Sequence, residues 1–98
     1  MLEGKIYKLD KASSQLIFNK KSLDANTINK LREVRILEIN YDNMVMKLFT
    51  KVYEDTYHLR FRIAKAYAEW FNFKKANVVC EVKNNKIIVN VVGGGCDE

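Results

Sequence analysis

The stretch Tyr57–Val92 reads YHLRFRIAKAYAEWFNFKKANVVCEVKNNKIIVNVV, and the choice of strand or helix for its beginning decides the fold. A helix from Tyr57 to Asn72 would gather His58, Arg62, Lys65, Glu69 and Asn72 into one polar stripe. Against it, Tyr57, Leu59, Phe61 and Ile63 alternate with His58, Arg60 and Arg62, and aromatic and β-branched residues are concentrated there. That alternation favours a strand to Ile63. A helix then follows, with Ala64, Tyr67, Ala68 and Phe71 on one face, Trp70 flanking it, and Asn72 supplying a left-handed cap. Val78–Val82 and Lys86–Val92 make a hairpin around Asn84 and Asn85, residues that tolerate a tight turn.

Upstream, the same order of elements occurs once already. Shifted by 43 positions, Leu16 falls on Leu59, Phe18 on Phe61, Ala25 on Ala68, Asn29 on Asn72 and Glu38 on Glu81. Apolar positions follow, Ile36 onto Val79, Met44 onto Ile87 and Met46 onto Val89 among them. The first copy reads as strands Lys5–Leu9 and Gln15–Lys20, a weak helix Ser22–Leu31 started by Ser22 or Asn26, a strand Arg35–Asn40, a turn at Tyr41, Asp42 and Asn43, and one long strand Met44–Val52. The expected fold class is therefore mainly β with two short helices (α+β), in which duplicated hairpin, helix, hairpin units form a pseudo-symmetric barrel-like sheet. Residues 1–92 form one domain, with repeats over about 4–49 and 50–92 and a flexible glycine-rich tail at 93–98.

Read from Arg60, the second copy resembles the swapped-hairpin family of AbrB, SpoVT and MazE. Units of that family carry a basic residue before an apolar strand, a Pro-Lys pair, a short helix, a Gly, a Gly-Asp pair and a closing hairpin. Lys65 stands at the Lys, Phe71 at the last apolar residue of the helix and Asn77 at the Asp. Ala64 replaces the Pro, Asn72 the helix-ending Gly and Ala76 the Gly before Asn77. The likeness covers about the last third of the chain well; the first copy matches more distantly through Phe18, Asn19 and Lys20. It implies two units fused in one chain, as in the tandem arrangement of MraZ, and a DNA-binding transcriptional regulator that meets duplex DNA through its first hairpin and the basic residues around it.

Composition permits that reading. The 98 residues are 48% hydrophobic, enough for a small folded core, and 17 Lys and Arg against 12 Asp and Glu give a net charge of +5, which suits a polyanionic partner. No apolar run reaches the ~18 residues of a membrane span and no signal-peptide pattern opens the chain, so a cytoplasmic protein without membrane association is expected. A single histidine and two cysteines, Cys80 and Cys96, lack metal-ligand spacing; no metal and no cofactor is expected. Cys80 is read as an inward strand residue. No elbow, phosphate loop or fixed triad is visible among Ser13, Ser14, Asp55 and His58, so the chain is read as a non-enzyme.

Candidate DNA-binding residues come from face. If Tyr57, Leu59, Phe61 and Ile63 point inward, His58, Arg60 and Arg62 point outward together. Lys8 and Lys11 from the neighbouring loop, and Lys20, Lys21 and Lys65 from the following turns, extend this set. Glu54 and Asp55 are expected to repel phosphate at the second hairpin. The competing expectation is a protein-binding module, an antitoxin or inhibitor without nucleic-acid activity, anchored by Tyr53, Trp70 and Phe73. Either a monomer or a homodimer of complete chains fits the duplicated fold.

Overall fold

The computed structural model describes residues 1–9 and 13–94. Its strands are β1 (Leu2–Tyr7), β2 (Ser14–Asn19), β3 (Ile36–Tyr41), β4 (Met44–Phe49), β5 (Val52–Glu54), β6 (His58–Ile63), β7 (Lys75–Lys83) and β8 (Lys86–Gly94). A 3₁₀ turn at Lys20–Ser22 precedes helix α1 (Ala25–Arg32), and a single helical turn, α2 (Lys65–Ala68), follows β6. The strands form one sheet in the order β4-β3-β8-β7-β1-β2-β6-β5, curled into a half-barrel. Neighbours run antiparallel except β3 and β8, which run parallel.

Alternation explains the core. Leu16 and Phe18 of β2, Leu37 and Ile39 of β3, Leu59, Phe61 and Ile63 of β6, Val78 and Cys80 of β7, and Ile87 and Val89 of β8 are all buried on the concave side. The choice of a strand for the start of the decisive stretch is what places Leu59, Phe61 and Ile63 together; Tyr57, expected inward with them, is exposed, because it lies in the turn before β6 with its amide on Asp55. Phe18 and Phe61 meet edge to face at 5.9 Å between ring centres. The Phe18 ring also lies across β1 at Gly4, where a Cβ would sit 2.8 Å from its Cε1. Glycine is required there for close approach rather than for an unusual backbone angle.

Turn residues behave as their chemistry dictates. Asp42, Asn43 and Asn84 hold the positive φ values of 52°, 65° and 55° that close the β3–β4 and β7–β8 hairpins. Asn72 does not, so the expected left-handed cap is corrected. The helix it was to end stops after one turn: Trp70 and Phe71 donate to the carbonyls of Tyr67 and Ala68, three residues back, tightening the chain so that Phe71 and Phe73 both reach the core. Likewise α1 starts from neither Ser22 nor Asn26. Its cap is Asp24, whose Oδ1 accepts from the Thr27 amide at 2.7 Å.

The expected long strand Met44–Val52 is two strands on opposite edges of the sheet. Thr50 and Lys51 make the change. The Thr50 amide donates to Arg35 O at 2.9 Å, continuing the β3–β4 ladder, while Lys51 O accepts from the Arg62 amide at 3.2 Å, opening the β5–β6 ladder. The buried Thr50 hydroxyl donates to Arg62 O at 2.7 Å, fastening the dipeptide to β6. Finally, β8 extends through Gly93 and Gly94, which pair with Asn77 and Ala76, so the start of the expected flexible tail is strand.

Candidate nucleic-acid interface

The outward positions of β6 are His58, Arg60 and Arg62, as alternation requires, but the register of the sheet decides what they stand beside. Across the convex face, Arg60 lies between Tyr53 of β5 and Ile17 of β2, and the row continues through Lys5 of β1 to Asn77 of β7. The next row runs Arg62, Gln15, Tyr7, Lys75. Neither row carries a carboxylate. Lys5, Tyr7 and Lys75 thus belong to the surface although sequence reading omitted them. Lys5 and Tyr7 had an alternation signal, whereas Lys75 lies upstream of the strand start expected at Val78 and had none.

Charges at the His58 end of the β2–β6 ladder are compensated. Asp55 Oδ1 accepts from the amides of Tyr57 and His58, each at 2.8 Å, and its Oδ2 accepts from Arg60 Nε and Nη2 at 3.3 and 3.2 Å. Arg60 Nη1 also donates to Gln15 Oε1 at 3.3 Å, and His58 Nδ1 lies 3.4 Å from Asp55 Oδ1. These contacts, the Tyr57 amide foremost, hold the Asp55 carboxyl down at about 2. Glu54 takes Arg32 as a two-point partner, Nε to Oε1 at 2.9 Å and Nη2 to Oε2 at 2.8 Å, and also accepts from Lys20 Nζ. Its carboxyl is lowered to about 2, chiefly by Arg32 and then by Lys20. The expectation that Glu54 and Asp55 merely repel phosphate is therefore corrected: they bind four neighbouring basic groups and join the β5–β6 hairpin to the 3₁₀ turn and α1.

The remaining sequence candidates separate. Lys8 Nζ donates to Phe71 O at 2.7 Å in a half-buried position, holding the segment that follows α2. Lys20 is spent on Glu54 and on the Asp55 carbonyl at 3.0 Å. Lys21 and Lys65 are exposed, beyond opposite ends of the β2–β6 ladder, whose six paired residues span roughly 17 Å. Arg62 is exposed and forms no side-chain hydrogen bond or ion pair among the described residues. Lys11 lies outside the described residues. Structure thus brings His58, Arg60 and Arg62 together, adds Lys5 and Lys75, and disperses the others.

Of the aromatic candidates, Trp70 and Tyr53 are exposed, while Phe73 is buried and stacks on Phe71 at 4.8 Å. Among the described residues no group of three or more His, Cys, Asp or Glu side chains is placed to hold a metal ion. No helix of the described residues is long and apolar enough to cross a membrane. No family model matches this chain, and no curated protein or solved structure matches it.

Proposed function

We propose that this chain is a small DNA-binding protein, a regulator resembling the AbrB family, that meets duplex DNA with the convex face of β6, β2, β1 and β7. The observation that carries this reading is the row Arg62, Gln15, Tyr7, Lys75, which holds two cations and no carboxylate, with Lys5 beside it in the next row, where Arg60 is already held by Asp55. Such a surface suits a phosphate backbone, to which most protein–DNA hydrogen bonds go. Tyr7 and Gln15 add neutral hydrogen-bonding groups within the second row.

The duplicated, pseudo-symmetric architecture belongs to the same proposal. It is supported by the β2–β6 register, which is centred on Ile17 and Arg60 so that Leu16 faces Phe61 and Phe18 faces Leu59. These four residues are the counterparts matched by the internal shift. Strand β1 breaks the relation, because it pairs with β7 while β3, the counterpart of β7, pairs with β8.

Fluorescence anisotropy with labelled duplex DNA at two salt concentrations tests the reading. Affinity should fall steeply with salt, and Arg62→Ala or Lys75→Ala should each flatten the slope by about one unit per lost phosphate contact. A parent protein that fails to bind at low salt sinks it. A second reading, a protein-binding module, is favoured by Phe49 and Val45, which stand 84% and 60% exposed on the outer side of edge strand β4. Salt-insensitive capture of a protein partner, lost in Phe49→Ser, would support that reading instead.

A further inference from the structure

Beside the basic rows the convex face is not flat. Around β1 it hollows into a groove of about 760 Å³, within the ~300–1,000 Å³ range of small-molecule sites. Its lining includes the apolar side chains of Ile17 and Val79, the half-buried ring of Tyr7, the amides of Asn19 and Asn77, and the Lys5 ammonium. Ile17 and Asn77 belong to the same row as Lys5 and Arg60. The groove and the cationic surface are therefore one continuous site.

A surface built only for a duplex backbone has little use for such a hollow. Paired bases keep their faces stacked and their pairing edges occupied, so phosphates alone would reach the cations. An unpaired nucleotide offers a π-face, a free pairing edge and a phosphate at once. The groove supplies matching partners for each: Tyr7 and Ile17 for the face, the Asn77 amide and the Asn19 Nδ2 for the edge, the Asn19 Oδ1 being taken by the Lys21 amide at 2.9 Å, and Lys5 for the phosphate. Its one carboxylate, Glu3, pairs across β1 and β7 with Val79, in a different row from Arg60 and Arg62.

Resting on the DNA-binding reading above, we infer that this groove receives an unpaired base of the bound nucleic acid, so that DNA with locally unpaired nucleotides is the preferred ligand over perfect duplex. Anisotropy titrations of the whole chain with a labelled duplex, and with the same duplex carrying a short run of unpaired thymines, test this directly. The unpaired form should bind about tenfold tighter or more, as base stacking on a side chain warrants. Tyr7→Ala and Asn77→Ala should bring the two affinities together, because the unpaired form loses more affinity than the duplex does. Ile17→Lys is the sharper variant: it adds a cation to the row but fills the apolar floor, so duplex binding should hold or rise as the preference disappears. Equal affinity of the parent for both DNAs overturns the groove assignment and leaves duplex binding standing. Absence of binding to either overturns both.

Discussion

The two ends of the β2–β6 ladder use the same residue types for different ends. At the His58 end, Lys20, Arg32 and Arg60 face Glu54 and Asp55, with the His58 ring beside Asp55, and the three cations are consumed in bracing the β5–β6 hairpin, α1 and the 3₁₀ turn. At the other end, Arg62 stands in a row with Gln15, Tyr7 and Lys75 that holds no carboxylate. A basic residue is thus available to an anionic ligand only where the fold has not already supplied it with an acid. Net charge states how many cations are in excess; register and hairpin geometry state which ones.

Both ends of the ladder rest on one core. Phe61 is buried under the centre of the ladder, so Phe61→Ala should destabilise both ends together by about 3–5 kcal/mol, read as a lower denaturant midpoint. Next in size is Arg62→Ala, which should leave stability unchanged and cost about 1–3 kcal/mol of DNA binding if the guanidinium reads a base, and less if it touches phosphate. Arg60→Ala should cost less binding than Arg62→Ala, because Asp55 and Gln15 already hold Arg60; the opposite ranking would show that the brace releases its arginine to the ligand. Lys8→Met removes the donor to Phe71 O and should lower stability by roughly 1 kcal/mol without altering the salt slope of binding.

The smallest effect is the most specific to the brace. Both carboxyls have folded-state values near 2, below their ordinary 4.5 and 3.8, so their contribution is complete above the unfolded values and is lost as pH falls through the folded ones. The thermal unfolding midpoint should accordingly drop between about pH 4.5 and pH 2, with less of a drop in Glu54→Gln. Exposure and salt screening keep this modest. An identical acid profile for the variant would show that the Glu54 contacts carry no stability.

Much of this was legible in the sequence where the information is local. Alternation identified the inward face of β6. Asp42, Asn43 and Asn84 marked their turns because short polar side chains tolerate positive φ. Cys80 was read as inward, and it is fully buried, its thiol pushed up to about 12 by loss of solvent. What was illegible depends on partners distant in the chain. Met46, Leu48, Thr50 and Val52 alternate without a break, so nothing local shows that the chain exchanges one edge of the sheet for the other at Thr50. The rows linking Arg62 to Lys75 and Arg60 to Lys5 need the register of four strands at once. Glu54 looked like a repulsive carboxylate because Arg32, its main partner, sits on a helix that sequence spacing could not orient toward it.

Parallel pairing of β3 with β8 has a consequence for the newly made chain. In the sheet order, β8 is the strand that joins the β4–β3 hairpin to the block formed by β7, β1, β2, β6 and β5. It is also the last of the eight in chain order. A ribosome delivering this protein from its N-terminus therefore releases seven strands before the one that unites them, and until then β3 waits with one edge bare. The two parts can each begin to pair, but their common core is sealed only when synthesis reaches Lys86 and beyond.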